Sequence, residues 1–139
     1  MNTNKTQIYL LFTIFLIGSV LSGCDFTSKI KIGEVRLGMF GDHQDSHLYY
    51  SYSKFTGVES DRLQAEKGQL IAFSYEVSVE KGSLIIELQD PNGEVLWNQV
   101  LETNAQDQLE IPVETTGIQS IIIQGKDTGG SFEVSWQVK

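Results

Sequence analysis

The sequence contains little cysteine and little proline. Its 139 residues include one cysteine, two prolines and 13 glycines, and its formal net charge is −8. A lone cysteine excludes an internal disulfide and a zinc site built from several thiolates. Eighteen acidic residues against ten Lys and Arg disfavour a nucleic-acid partner, because phosphate backbones attract clustered cations. The chain is therefore expected to depend on a hydrophobic core of its own.

The one cysteine follows a short apolar run near the amino terminus. Residues 8–20 are almost wholly apolar, but a helix that spans a bilayer needs about 20 residues, so the run predicts an export signal. Leu21-Ser22-Gly23-Cys24 resembles the lipobox of bacterial lipoproteins. In that family the cysteine receives diacylglycerol, carrying acyl groups such as palmitate, and a peptidase then cuts before it.

This resemblance implies a signal peptide over residues 1–23, a lipidated lead over residues 24–31 and a single domain over residues 32–139. The lipid on Cys24 would hold the domain at the extracytoplasmic face of the cell membrane. An ordinary signal peptide or an uncleaved anchor is the alternative. Cleavage after residue 23 would remove Lys5 and no acidic residue. The processed chain would then contain nine Lys and Arg and 18 acidic residues. Contact with the bilayer is therefore expected through the lipid and not through a basic patch.

Apolar and polar residues alternate with period two over much of the remaining chain. The clearest examples are residues 71–79 and 132–138, with a shorter one at 109–113. Residues 83–88 and 120–124 are more continuously apolar, which is typical of central strands covered on both sides, or on one side plus a rim. The pattern predicts an all-β, antiparallel two-sheet sandwich, jelly-roll-like, with about eight strands and almost no helix.

Turn-forming residues separate these segments. Asp90-Pro91-Asn92-Gly93 predicts a hairpin turn, because Pro91 presets its backbone angle and Gly93 tolerates a positive φ. Lys67-Gly68 and Lys81-Gly82 are predicted to flank one long strand, and Asp127-Thr128-Gly129-Gly130 to close the last hairpin. Together with residues 123–132, these pieces resemble small secreted jelly-roll modules of the pre-peptidase C-terminal type and GOLD-type sandwiches. That resemblance implies an accessory role in binding, spacing or assembly, with no catalytic residues.

Both histidines lie in one polar segment with two acids. Asp42, His43, Asp45 and His47 are the residue types that bind Zn²⁺ or Ca²⁺, and they are candidate metal ligands. The segment is predicted to be a loop between strands, where the spacing of the histidines promises no particular geometry. A solvated polar turn is the alternative.

An aromatic segment follows directly. Tyr49, Tyr50 and Tyr52 are candidate binding residues, because exposed tyrosines can stack on sugar rings. Strict alternation predicts that Tyr50 and Tyr52 share one face of a strand, while Tyr49 and Phe55 share the other. Ordinary cross-strand aromatic pairing is the alternative.

No nucleophile elbow and no zinc-protease motif occurs, so no catalytic residue and no cofactor is predicted. The sequence favours a non-enzymatic binding or scaffolding module with an unidentified protein or glycan partner. The alternatives are a carbohydrate-binding sandwich for cell-envelope glycans and a metal-dependent function at His43 and His47.

Overall fold

The computed structural model describes residues 33–139, and every regular element in that range is a β-strand. Cys24, the predicted signal peptide and the predicted lead lie outside the described residues. No helix within residues 33–139 is long and apolar enough to cross a membrane. The strands are β1 (Val35–Leu37), β2 (Phe40–Gln44), β3 (His47–Ala65), β4 (Leu70–Gln89), β5 (Val95–Leu101), β6 (Ala105–Pro112) and β7 (Gly117–Val138).

All pairs are antiparallel, and the three longest strands run through two halves of one continuous sheet. In the first half, β2 and β6 flank residues 47–52 of β3, 130–138 of β7 and 70–79 of β4. In the second half, β1 and β5 flank residues 54–65 of β3, 117–126 of β7 and 83–89 of β4. The prediction of an all-β antiparallel sandwich is confirmed, with seven strands in the described range.

The two halves share one hydrophobic core. Phe73 of the first half packs on Trp97 of the second with ring centroids 5.6 Å apart, and Phe55 lies 6.4 Å from Phe132 across the same interior. The alternating segments supply this core as predicted, since Ile71, Val134 and their alternate neighbours are buried. Folding therefore buries the inner faces of both halves against each other.

Two of the predicted turns are bends inside single strands. Lys81-Gly82 lies within β4 and Asp127-Thr128-Gly129-Gly130 lies within β7, so neither ends a strand as predicted. Gly82 and Gly130 have φ angles of +67° and +135°, and the register between β4 and β7 shifts beside Lys81. Glycine tolerates these angles, so each strand changes direction without ending. Both strands therefore run through both halves of the sheet.

The hairpin turn at Asp90-Pro91-Asn92-Gly93 is confirmed. Oδ1 of buried Asp90 accepts hydrogen bonds from the backbone N–H groups of Asn92 and Glu94, each 2.8 Å long, and Gly93 has a φ of +85°. Burial acts to raise the pKa of Asp90, but hydrogen bonds from Glu94, Asn92 and Thr115 outweigh it and hold that pKa below its usual value. The turn fixes the pairing of β4 with β5.

Candidate functional site: the polar outer face of the first half

The outward side of the first half carries polar side chains in three rows. Directly paired residues of antiparallel strands share one face of a sheet, so the register defines each row. The rows, which together form the polar outer face, are Phe40, Ser51, Ser131 and Ser78; then Asp42, Tyr49, Glu133, Glu76 and Gln106; then Gln44, His47, Ser135, Ser74 and Gln108.

This face is indented because many of its side chains are small. A depression of about 470 Å³ is lined by Ser74, Glu76, Gln106, Gln108 and residues of β7 beside them. A second depression, of about 620 Å³, lies at the serine row and is bordered by Phe40 and Lys81. Volumes of this size are in the range of small-molecule and sugar sites.

Hydrogen-bonding groups of both kinds line the depressions. The hydroxyls of Ser74 and Ser135 are 2.7 Å apart, and Nε2 of His47 lies 3.0 Å from Oε1 of Glu133. The amides of Gln106 and Gln108 can donate and accept, whereas a carboxylate only accepts. The face can therefore bind a ligand that donates and accepts hydrogen bonds along its length.

Two aromatic rings stand at the β2–β3 side of this face. Phe40 is 75% exposed and Tyr49 is 39% exposed, and they occupy diagonally neighbouring positions of paired strands. Sequence reasoning missed Phe40. Its spacing of two from Asp42 and four from Gln44 puts Phe40 on the polar side only once the segment is known to be a strand, and the sequence predicted a loop there.

The three predicted tyrosines lie in different environments. Tyr52 is 4% exposed and packs in the core, while Tyr50 is half-buried with its ring 5.6 Å from that of Phe132. Burial raises the pKa of both phenols. Of the three, Tyr49 alone reaches the polar outer face, so Tyr50 and Tyr52 contribute to packing.

The prediction that Tyr49 and Phe55 share a face is wrong. Phe55 is fully buried, because the register of β3 shifts between Tyr52 and Phe55 and again between Phe55 and Gly57. Such an irregularity interrupts the two-residue alternation. Gly125 makes room for the inward ring, since a Cβ there would lie 2.3 Å from Phe55.

The four predicted metal ligands do not converge. The segment is a hairpin and not a loop, because Gln44 pairs with His47 around a turn at Asp45-Ser46. His43 pairs with inward-facing Leu48 and contacts Asp61 at 2.9 Å, whereas His47 faces outward with Asp42. Residues 33–139 contain no group of three His, Cys, Asp or Glu side chains that could hold a metal ion.

No protein-family model matches this chain, and no curated protein matches it in sequence. Among solved structures it is similar to the enzymatically active domain of bacteriophage CBA120 tailspike protein 4. The TM-score is 0.53 at 11% identity, over 76% of this chain and 18% of that one. This likeness shows a shared fold and no function.

Two further similar structures are carbohydrate-binding modules. One is a CBM4 module, with a TM-score of 0.45 at 10% identity over 74% of this chain and 78% of that one. The other is the module CBM6cm-2 of Cellvibrio mixtus lichenase 5A in complex with cellotriose. Its TM-score is 0.42 at 13% identity, over 73% and 86% of the two chains.

Proposed function

We propose that this chain is a non-catalytic binding module that takes a carbohydrate on the polar outer face. The observation that carries the proposal is the combination of two exposed rings, Phe40 and Tyr49, with rows of small and amide side chains on one indented sheet face. A sugar chain has the matching chemistry, since each ring offers an apolar C–H face and a rim of hydroxyl groups.

The serine row supports an extended ligand. Ser51, Ser131 and Ser78 lie side by side on three adjacent strands, and Phe40 ends the row. A sugar lying along this row would stack on Phe40 and reach the serine hydroxyls. The next row offers Tyr49, Glu133 and Gln106 to a neighbouring sugar.

The proposal includes the lipid anchor. A lipid on Cys24 would hold the module at the extracytoplasmic face of the membrane, where envelope glycans are within reach. Metabolic labelling with a fatty-acid analogue tests this directly: the wild-type chain should incorporate the label and Cys24→Ala should not. Label in both chains, or in neither, would reject the anchor.

Binding is tested with the full chain on an array of bacterial envelope glycans, followed by titration of the glycan bound best. Phe40→Ala and Tyr49→Ala should each weaken binding by about two- to tenfold, because an aromatic stacking contact is worth about 0.5–1.5 kcal/mol. Both side chains are exposed, so the melting temperature should change little.

Val95→Ala is the matched control, since it removes exposed apolar surface on the other half and should leave affinity unchanged. An array without any bound glycan would reject the proposal. Equal affinity in Phe40→Ala, Tyr49→Ala and the wild-type chain would reject the site.

A further inference from the structure

The outward side of the second half is apolar where that of the first half is polar. One row across four of its five strands, β3, β7, β4 and β5, consists of Val58, Gln124, Ile85 and Val100. Ile122 occupies the neighbouring row between Ser60 and Glu87. Val58 is 40% exposed and Val100 is 55% exposed, while Ile85 and Ile122 are half-buried. Val58, Ile85, Val100 and Ile122 are called the apolar outer face.

This face belongs to the two segments whose sequences are continuously apolar. Leu84 and Ile86 point into the core, and Ile85 between them points outward; Ile121, Ile122 and Ile123 behave in the same way. Such segments were predicted to be central strands covered on both sides, or on one side plus a rim, and the structure leaves Val58 and Val100 exposed on the outer side. An apolar sheet face of this kind is typical of an interaction surface.

Charge separates the two outer faces. Arg62 and Lys126 lie on the same side of the sheet as Val58 and Ile122, together with one acid, Glu87. Asp42, Glu76 and Glu133 lie on the polar outer face. In a chain with a net charge of −8, the apolar outer face is therefore the one that an anionic surface repels least.

The chain enters the domain beside this face. β1 belongs to the second half, and Val35 pairs with Thr56, two residues before Val58. Leu37 at the other end of β1 is 56% exposed. Eight residues lie between Cys24 and Gly33, and the nine residue steps from one to the other extend at most about 30 Å. A lipid on Cys24 would thus limit how far the β1 edge of the second half can lie from the bilayer.

We propose that the apolar outer face rests on the lipid bilayer, with Val58 and Val100 in the interface and Arg62 and Lys126 at the headgroups. The inference depends on the proposed anchor for its geometry. The two outer faces are on opposite sides of the sandwich, so this contact would turn the polar outer face away from the membrane and toward envelope glycans.

The test places one fluorophore on each outer face of the lipidated full chain. Cys24 is the only cysteine, and lipid blocks it, so Asn98→Cys and Gln137→Cys each offer a single thiol. Asn98 pairs with outward-facing Glu87 on the second half, and Gln137 pairs with Ala72 on the first. The vesicles contain equal parts phosphatidylglycerol and phosphatidylethanolamine with brominated acyl chains. Most of the fluorescence at position 98 should be lost, and that at position 137 retained.

Val100→Glu should restore the fluorescence at position 98, because it puts a charge into the interface. Thr103→Glu adds the same charge at an exposed turn outside both faces and should restore nothing. Equal quenching at positions 98 and 137 of a lipidated chain would overturn the contact. Absence of quenching at position 98, together with a dimer cross-linked through that position, would also overturn the membrane contact. That result would show that a second copy of the chain covers the apolar outer face.

Mass spectrometry separates this inference from the anchor. An unmodified thiol at Cys24 would reject the anchor itself. A lipidated Cys24 without shielding at position 98 would reject only the docking of the face.

Discussion

At the scale of single residues, the polar outer face depends on which way each side chain points. Tyr49 and Tyr50 are adjacent, yet the first faces solvent and the second packs on Phe132. Alternation in the sequence predicts that neighbours face opposite sides, but it does not say which side is buried. The sheet decides this, since Tyr49 pairs with exposed Glu133 and Tyr50 with buried Phe132.

Asp90 is a buried carboxylate whose ionisation should matter for stability. Its pKa is held below the usual value, so the folded state favours the carboxylate. The resulting stabilisation is present above the unfolded pKa, about 3.9, and is lost as pH falls through the lower folded pKa. Asp90→Asn should be less stable than the wild-type chain at neutral pH, and this difference should shrink in acid.

Urea unfolding of both chains between about pH 7 and pH 2.5 measures this effect. Asp107→Asn is the control, because Asp107 is exposed and makes only a local bond to the N–H of Gln108. A difference between the wild-type chain and Asp90→Asn that stays constant over the whole range would contradict the role given to the carboxylate.

At the scale of elements, the strands could be predicted where one face is dry and the other wet. Residues 71–77 of β4 and 132–136 of β7 show this alternation in both sequence and burial. β2 could not be predicted in this way, because all five of its residues are exposed. An edge strand without a buried face has no apolar period, so its polar residues resemble a loop.

The bends in β4 and β7 were predicted as turns, because glycine is common both in turns between strands and at bends within a strand. Gly130 has a φ of +135°, and a Cβ there would lie 1.9 Å from the carbonyl oxygen of Ser78. Backbone atoms cannot move away as a flexible side chain can. Gly130→Ala should therefore lower the free energy of unfolding by more than about 2 kcal/mol.

Gly129→Ala is the matched control for this prediction. Gly129 has an ordinary φ, and its nearest contacts, Lys81 and the carbonyl oxygen of Ser53, would lie 3.0 Å from an added Cβ. Denaturant unfolding should show a smaller loss than in Gly130→Ala. Equal losses in the two variants would show that the bend does not depend on the conformation of Gly130.

At the scale of the whole molecule, the continuous sheet and the shared core predict that both halves unfold together. Trp136 lies in the first half, and Trp97 lies in the second with its ring packed on Phe73 of the first, so the two tryptophans report on different parts of the shared core. Trp136→Phe and Trp97→Phe leave one reporter each. Within either variant, the fluorescence transition should coincide with the circular dichroism transition.

Phe132→Ala should move that single unfolding transition to a lower denaturant concentration without dividing it into two. Phe132 is fully buried and packs against Tyr50, Tyr52 and Phe55. Loss of such a side chain costs about 3–5 kcal/mol. Separate transitions for the fluorescence and the circular dichroism of either tryptophan variant would show that the halves are independent units.

The whole molecule also separates chemistry that the sequence intermixes. Ile85 and Ser74 lie on one strand, as do Ile122 and Glu133, yet each pair is divided between the two halves. The bends at Gly82 and Gly130 lie between them, so one outward side becomes apolar and the other polar. The alternation of apolar and polar residues predicted which side chains form the core. It did not predict that one outward side is apolar and the other polar, because the glycines at both bends were interpreted as turns that end strands.

The function proposed for the whole molecule is sugar binding on the polar outer face. The most direct measurement is a titration of the isotope-labelled full chain, in detergent micelles, with the glycan that the array identifies, followed by nuclear magnetic resonance. Amide shifts should concentrate at Phe40, Tyr49, Ser131 and Glu133 and their row neighbours, while the apolar outer face stays unchanged. Shifts confined to the turns or to the second half would show that the sugar does not bind the polar outer face.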